Sequence, residues 1–298
     1  MMKEIDISEL VFNDDCLVIV GNGFDLAHGI KSSYSNLKSW LSANKFRNVV
    51  NDLNYVYGDE LWSSIEEHLS ELNPEEIFDS LDTGDIDIDD DNISDHLMRE
   101  GAIIEDSTEY SFCAPIRDFY GCFRKWVDYI DMSKVEPIKE LKPINGKKFL
   151  TFNYTETLEE VYKVPRNKIL HIHGSRLVKG SDYVFGHNRI FNTYNKYDWP
   201  CEEDSVKNIH RSLNLFYKDV DKIIKQNSAF FSGLQSVKKV IVLGSSIGKV
   251  DMPYFDQIHR SVNHNIPWIF SYHSDKDMKA IEDFISRKKI SDATIFCL

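Results

Sequence analysis

Apolar residues along the chain fall into short continuous runs and longer helical stripes, which together predict alternating strands and helices. The run Leu17-Val18-Ile19-Val20 is typical of a strand buried on both faces of a sheet. Similar strands are predicted at residues 148–152, 168–173, 240–244, 268–272 and 293–296, with a short edge piece at 183–185. Because helical segments separate these strands, right-handed crossovers would pair them in parallel. The predicted fold class is α/β, with a mostly parallel sheet and helices on both faces.

Helical spacing of apolar residues dominates the middle third of the chain. Residues 32–81 carry one stripe, formed by Leu61, Trp62, Ile65, Leu69 and Leu72. Residues 112–130 carry another, with core candidates Ile116, Phe119, Tyr120, Phe123, Trp126, Val127 and Ile130. Later helices are predicted at 201–231, 254–263 and 275–288, and Asp251 and Pro253 are interpreted as a helix start. We therefore predict one domain over residues 1–298, with a mostly helical insertion at about 45–145 and a solvated acidic loop at 85–95.

The first predicted strand ends in a turn suited to a nucleotide phosphate. Gly21 and Gly23 flank Asn22 directly after the strand, where glycines let the backbone turn sharply and approach a ligand closely. The helix that follows can aim its first amide groups at an anion. The fingerprint G-x-G-x-x-G is incomplete, because its third glycine would fall on Leu26. We interpret the turn as a variant of the dinucleotide-binding turn.

Four polar clusters follow four of the predicted strands, at residues 21–25, 151–155, 171–175 and 243–246. The carboxyl ends of parallel strands share one edge of a sheet, and ligands gather at that edge. We therefore predict that Gly23, Asn153, His173 and Ser245 line one cleft.

Several residues of these clusters also have a purely structural interpretation. Asn153, Ser245 and Ser246 could cap helices, and Asp25 could cap a helix or bind a ribose. His171 and His173 lie two apart on a predicted strand and so are expected to face the same side. We expect one of the two to be a packed, hydrogen-bonded histidine and the other to be functional.

Composition and charge narrow the class of protein. The 298 residues are 42% hydrophobic and 28% charged, which is typical of a globular protein. The formal net charge of -13 argues against non-specific binding to nucleic acid or to anionic membranes, although a small nucleotide needs only a local site. The sequence offers neither a signal peptide nor a membrane-length apolar run, and its five cysteines are scattered without a C-x-x-C pair. We therefore expect a cytoplasmic protein with reduced thiols and no metal site.

The order and wording of these motifs resemble two related groups of proteins. The segments GNGFDLAHGIKSSY, TFNYTETLE, LHIHGS, VFGHN and LGSSIGKVD occur in the order found in sirtuins and their non-sirtuin NAD-binding relatives. The wording GNGFDLAHGI, FNYTETLEEVY, HIHG and VLGSS…VDMPYF resembles the AbiH family of bacterial phage-abortive-infection proteins. Leu61-Trp62…Glu66 also looks like an AbiH feature. The resemblance touches both ends of the chain and leaves most of the predicted helical insertion uncovered.

The resemblance implies a Rossmann-like, sirtuin-type sheet whose relatives bind NAD and cleave its N-glycosidic bond to nicotinamide. It places Asn153 near the nicotinamide ribose and makes His173 the base, and imidazole suits such a proton transfer. The residues implied to contact the cofactor are Gly21, Asn22, Gly23, Phe24, Asp25, Thr155, Gly244, Ser245 and Ser246. The implied partners are a small nucleotide ligand and, as candidates, a phage-derived trigger or a second copy of the chain.

The chain departs from the sirtuin pattern in two places. Sirtuins and many of their relatives have an acid two residues after the asparagine, where this chain has Thr155. Only ten residues separate Gly174 from Phe185, and none of them is cysteine. The zinc module that sirtuins insert there is therefore missing, and protein deacylation is not expected.

Three functions are consistent with these residues. The first is an antiphage NAD glycohydrolase that depletes the cofactor of infected cells. The second is a nucleotide-sensing module that binds NAD, ADP-ribose or another signal without turnover, which Thr155 favours. The third is a metal-dependent phosphoesterase or nuclease that uses Asp25, His171, His173 and His187, although the net acidity and the lack of a ligand cluster argue against it.

Overall fold

The computed structural model describes residues 2–80, 93–178, 182–192 and 200–298. The chain divides into two compact units. The sheet unit comprises Met1–Ser33, Val127–Val184 and Asp219–Leu298, and the helical unit comprises Tyr34–Trp126 and Phe185–Lys218. One domain over residues 1–298 stays a prediction.

In the described residues, seven strands form one sheet in which every neighbouring pair is parallel. The strands are β1 (Lys3–Glu4), β2 (Cys16–Val20), β3 (Lys148–Thr151), β4 (Ile169–His171), β5 (Lys239–Leu243), β6 (Trp268–Tyr272) and β7 (Ala293–Cys297). The α-helices are α1 (Asn22–Ala27), α2 (Tyr34–Ala43), α3 (Arg47–Tyr57), α4 (Ile65–Glu71), α5 (Pro74–Ser80), α6 (Ile93–Thr108), α7 (Ala114–Tyr129), α8 (Pro200–Asn214), α9 (Val220–Gln226), α10 (Ser228–Ser232), α11 (Met252–Ser261) and α12 (Asp275–Lys288). The predicted α/β class with a parallel sheet is confirmed.

The order of the strands creates a point at which the sheet changes its direction of growth. The spatial order is β1-β7-β6-β5-β2-β3-β4, so the chain builds from β2 through β3 to β4 and then crosses back to place β5 on the other side of β2. From β2 onward this is the order of doubly wound Rossmann-type sheets. Val20 of β2 lies level with Thr151 of β3 and Leu243 of β5. The switch point therefore lies between the carboxyl ends of β2 and β5.

Alternate residues of the strands enter two separate cores, one on each face of the sheet. The face that includes Ile19 is covered by α9 to α12, with Phe284 of α12 fully buried there. The opposite face includes Val18 and is covered by Phe24 of α1 and by the segment around Leu158. Both faces of β2 are therefore shielded from water, which explains its continuous apolar run.

The helical unit contains α2 to α6, most of α7, and α8. The predicted stripe Leu61, Trp62, Ile65 and Leu69 is buried, but it is divided between a 3-10 helix, Asp59–Ser63, and α4. In the second stripe, Ile116, Phe119, Phe123, Trp126, Val127 and Ile130 are buried. Of the acidic run predicted as a loop, residues 85–92 lie outside the described residues, and the prediction is wrong for residues 93–95, which begin α6. No α-helix among the described residues combines the length and apolarity that crossing a bilayer would require.

Three elements predicted from the sequence differ in the structure. Residues 183–185 form no strand, because a single backbone hydrogen bond, from the Val184 amide to the His173 carbonyl, does not make a strand pairing. The stretch 201–231 is three helices rather than one, because the chain turns after Asn214 and the Asp219 side chain caps a new helix by accepting from Lys222 N. The strand predicted at 168–173 is only β4, since a turn with Gly174 at a φ of 90° follows His171. The edge strand β1 was not predicted.

Candidate functional site

The turns that follow β2 and β5 pack directly against each other at the switch point. The amides of Gly21 and Gly23 donate to the carbonyls of Leu243 and Gly244 at 2.9 and 2.7 Å. Gly244 has a φ of 62°, and a Cβ built on it would lie 1.9 Å from the Phe24 nitrogen. A Cβ on Gly21 or Gly23 would likewise approach the Gly244 carbonyl oxygen to 2.7 or 2.8 Å. The glycines are therefore required by the contact between the two turns.

This contact changes the role expected for the glycine turn. Because the amides of Gly21 and Gly23 already donate to the β5 turn, in this conformation they do not offer hydrogens to a phosphate. Asn22 is exposed, and its Nδ2 donates to the Ser32 carbonyl at 3.1 Å. Phe24 is fully buried in the core, so its side chain does not face a ligand. Only Asn22 of this cluster presents an exposed side chain at the edge of the sheet.

The loop after β5 carries the two predicted serines. Gly244 N donates to the buried hydroxyl of Ser271 at 2.7 Å, which fixes the start of the loop. Ser245 is half-buried, and its Oγ accepts from Ile247 N at 3.4 Å. Ser246 is exposed. The serines stay accessible beside the packed glycines.

Asn153 lies two residues beyond β3 and is 6% exposed. Its Nδ2 donates to the Gly21 carbonyl at 3.1 Å, which ties the end of β3 to the turn after β2. Its backbone amide donates to Thr151 Oγ1 at 3.0 Å, and its carbonyl accepts from the His171 Nδ1 at 3.1 Å. Asn153 therefore does not cap a helix here, since its side chain bonds to the neighbouring strand end.

Asp25 lies directly beneath this edge, in the first turn of α1, and is 1% exposed. Thr155 Oγ1 donates to Asp25 Oδ2 at 2.5 Å, and Thr157 Oγ1 donates to Oδ1 at 2.7 Å. Burial raises the pKa of Asp25 to about 6, and the side-chain hydrogen bonds from Thr155, Thr157 and Asn153 limit the rise. The carboxylate that the sequence lacks at position 155 is thus supplied in space by residue 25. It is closed off from solvent, so neither Asp25 nor Thr155 contacts a ligand in this conformation.

The two histidines do not face the same side, and that prediction is wrong. His171 contacts Glu159, which neighbours the core residue Leu158 on one face of the sheet. His173 packs against the rings of Phe152 and Tyr254, which belong to the core on the opposite face. The alternation of strand residues does not reach His173 because β4 ends at His171.

His171 is the packed, hydrogen-bonded histidine of the pair. Its Nδ1 donates to the Asn153 carbonyl, and its Nε2 lies 2.8 Å from Glu159 Oε1. Glu159 belongs to a π-helical turn, Thr157–Val161, and is itself buried. The contact of Glu159 with His171 is not predictable from the sequence, because nothing in the local pattern links it to a histidine twelve residues away.

His173 is 4% exposed, with ring centroids 5.2 Å from Phe152 and 5.5 Å from Tyr254. Its Nε2 lies 3.6 Å from Oδ1 of Asp251, a half-buried residue. Asp251 is the N-cap of α11, as predicted, with Pro253 in the first turn. Its proximity to His173 was not predicted.

Arg176 is a second residue of the site that carries no signal in the sequence. Its Nε and Nη2 each lie 2.6 Å from an oxygen of Glu156, a bidentate ion pair, and its Nη1 donates to the Ile130 carbonyl at 2.5 Å, beyond the end of α7. Its backbone amide donates to the Tyr154 carbonyl at 3.1 Å. Arg176 therefore holds the segment between Asn153 and Thr157 in place through its contacts with Tyr154 and Glu156.

The residues of the metal-dependent alternative are not united by the described contacts. His187 belongs to the helical unit, where its Nε2 lies 3.1 Å from the Leu213 carbonyl. Among the described residues, no group of three or more histidine, cysteine, aspartate or glutamate side chains is arranged to hold a metal ion. The described residues therefore offer no support for a metal-dependent phosphoesterase or nuclease.

Fold and site together define a doubly wound α/β protein with polar residues gathered at the carboxyl edge of its sheet. Residues 17–272 match the family described as "Bacteriophage abortive infection AbiH", and the chain belongs to that family. Membership implies a role in abortive infection by bacteriophage. Neither the curated proteins nor the solved structures contain a match to this chain.

Proposed function

We propose that this AbiH protein binds NAD or a related nucleotide at the carboxyl edge of its sheet and hydrolyses NAD to nicotinamide and ADP-ribose. In infected cells this reaction would deplete the cofactor and abort the phage cycle.

The observation that carries the proposal is the switch point between β2 and β5. In open α/β sheets, ligands bind in the crevice outside the carboxyl ends of the strands, where the strand order reverses. At this point Gly21 accepts from Asn153, while the neighbouring loop carries Ser245 and Ser246. Polar groups from three adjacent strand ends, the Gly21 carbonyl among them, therefore lie together where the sheet topology favours a ligand.

The residues present fit a nucleotide through side chains rather than through glycine amides. The amides of Gly21 and Gly23 are engaged with the β5 turn, so phosphate oxygens would be held by the hydroxyls of Ser245 and Ser246 and by the exposed Asn22. Asn153, held by the Gly21 carbonyl, would orient a ribose hydroxyl or a water molecule.

The proposed reaction breaks the bond between the ribose C1′ and the nicotinamide nitrogen, and the bonding electrons leave with nicotinamide. Water oxygen forms the new bond to C1′, and the water gives up one proton. The transition state has oxocarbenium character, so a site that holds the water and the ribose in position before the reaction lowers the barrier. His173 would accept the proton, and the carboxylate of Asp251, 3.6 Å from its Nε2, would stabilise the resulting imidazolium.

The test is incubation of the purified full-length protein with NAD, with and without a chelator, followed by measurement of released nicotinamide. We expect release that does not depend on the chelator. Asn153→Ala should abolish turnover, and His173→Ala should lower the rate by about 10² to 10⁴.

Two matched substitutions away from the site control for the loss of an asparagine and of a histidine. Asn145→Ala removes an asparagine at the amino edge of the sheet, before β3, and His264→Ala removes an exposed histidine before β6. Both should hydrolyse NAD at the wild-type rate. If both single variants, Asn153→Ala and His173→Ala, hydrolyse NAD at the full wild-type rate, the assignment of this site is refuted.

A second candidate, binding without turnover, is favoured by the closed environment of Asp25. Both of its carboxylate oxygens accept hydrogen bonds inside the protein, so no acid is offered two residues after Asn153. On this candidate, calorimetry would detect binding of NAD or ADP-ribose by the wild type, while nicotinamide would not appear on prolonged incubation.

A further inference from the structure

A chain of hydrogen bonds runs beneath the proposed site, from Glu159 through His171 to Asn153. Glu159 Oε1 lies 2.8 Å from His171 Nε2, and His171 Nδ1 lies 3.1 Å from the Asn153 carbonyl. The side chains of Glu159 and His171 are 7% and 12% exposed. From Asn153 the chain continues through its Nδ2 to the Gly21 carbonyl at 3.1 Å. It therefore connects the ends of β4, β3 and β2.

The positions of the protons in this chain follow from the chemistry of the acceptors. A backbone carbonyl can only accept, so His171 Nδ1 carries a hydrogen. His171 Nε2 and Glu159 Oε1 then share one further proton, since two acceptors without a proton would repel each other in a buried site. The Asn153 carbonyl thus requires a hydrogen on Nδ1 of His171, and the contact of Glu159 with Nε2 holds the ring so that this hydrogen is directed at Asn153.

The contact between His171 and Asn153 fixes the backbone of Asn153 rather than its side chain. The backbone N–H of Asn153 donates to Thr151 Oγ1, and its backbone carbonyl accepts from His171 Nδ1. With the backbone held at both ends, the Asn153 side chain has a defined direction toward Gly21.

We propose that Glu159 and His171 are positioning residues for the site: Glu159 holds the imidazole ring of His171 in place, and His171 sets the orientation of Asn153. The inference rests on the proposed function for its catalytic consequence, but the geometry that it assigns to Asn153 is independent of any ligand. Neither residue contacts the substrate in this scheme.

The test compares Glu159→Gln with Glu159→Leu in the full-length protein. A glutamine amide can donate to His171 Nε2 and so keeps the ring anchored with its hydrogen on Nδ1, whereas leucine offers no hydrogen bond to Nε2. We expect Glu159→Gln to hydrolyse NAD within about threefold of wild type. Glu159→Leu should lose at least about tenfold in kcat, because small displacements of a positioning group are costly, while KM changes by less than about threefold.

The control for a merely structural effect is Val164→Ala, a core substitution whose backbone amide bonds to the Leu158 carbonyl beside Glu159. Val164→Ala should lower the unfolding temperature while leaving kcat unchanged. If Val164→Ala loses kcat as much as Glu159→Leu, or if Glu159→Gln is as impaired as Glu159→Leu, the proposal is overturned.

A second measurement decides the matter if the wild type does not hydrolyse NAD, which would refute the proposed function alone. Hydrogen–deuterium exchange should be faster in peptides covering residues 151–155 and 21–25 of Glu159→Leu, and unchanged there in Glu159→Gln and Val164→Ala. Unchanged exchange in Glu159→Leu would show that Glu159 does not hold Asn153.

Discussion

The clearest quantitative consequence of the structure concerns the buried carboxyl of Asp25. Burial raises its pKa from the ordinary 3.8 to about 6, although Thr155 and Thr157 both donate to it. The folded protein therefore binds this proton more tightly than the unfolded chain does. The carboxyl stabilises the fold fully below pH 3.8, and this contribution is lost as the pH rises through about 6.

The magnitude follows from the two pKa values. Their difference corresponds to about 3 kcal/mol over the full pH range, at about 1.4 kcal/mol for each pKa unit. About 2 kcal/mol of this is gained by the wild type between pH 8 and pH 4.5, since at pH 4.5 the folded form is protonated and the unfolded form is mostly ionised.

Asp25→Asn tests this reasoning, because asparagine is a neutral isostere of the protonated carboxyl. Its Oδ1 can accept from one threonine hydroxyl, and its Nδ2 can donate to the other. We expect the variant to be more stable than wild type at pH 8, by up to about 3 kcal/mol. The advantage should shrink to about 1 kcal/mol at pH 4.5.

The assay is urea unfolding of both proteins at pH 4.5, 6 and 8, with the difference in free energy of unfolding compared across pH. Asp221→Asn, at an exposed aspartate of α9, controls for the exchange and should leave the wild-type pH dependence unchanged. If Asp25→Asn is less stable than wild type by the same amount at every pH, the carboxylate is ionised and satisfied in the fold, and the reasoning fails.

Two further predictions concern the same edge of the sheet. Thr155→Asp would place a second carboxylate where Thr155 Oγ1 now lies 2.5 Å from Asp25, so it should lower the free energy of unfolding by about 3 to 5 kcal/mol at pH 8. The double variant Asp25→Asn with Thr155→Asp should recover at least half of that loss in urea unfolding. No recovery in the double variant would contradict the assigned contact. Gly244→Ala should lower the free energy of unfolding by about 3 kcal/mol or more, because its positive φ disfavours a side chain and the Cβ would meet the turn after β2. Gly248→Ala, whose Cβ would have only Ser246 Oγ at 3.7 Å, is the matched control, and equal losses in the two variants would refute the packing of the turns.

Much of the architecture was predictable from local patterns. The apolar runs located β2, β3, β5, β6 and β7 to within about a residue at each end, and α12 was predicted at its observed bounds. These elements have simple signals, because a strand buried on both faces has to be apolar throughout and a surface helix needs one apolar stripe. The order of polar clusters after successive strands also followed, since parallel strands end at one edge. The two-residue β1 and the break after α8 carried no comparable signal.

What the tertiary structure decided is how the polar clusters are used. The sequence presented Gly21 and Gly23 as a phosphate turn, but the packing of the β5 turn against them engages their amides. It presented Thr155 as a missing acid, but Asp25, 130 positions earlier, supplies the carboxylate beside it. The sequence by itself determined which residues reach the carboxyl edge, because strand ends are local events. Only the fold decided which of them touch, because those contacts join residues whose separation along the chain carries no information about distance in space.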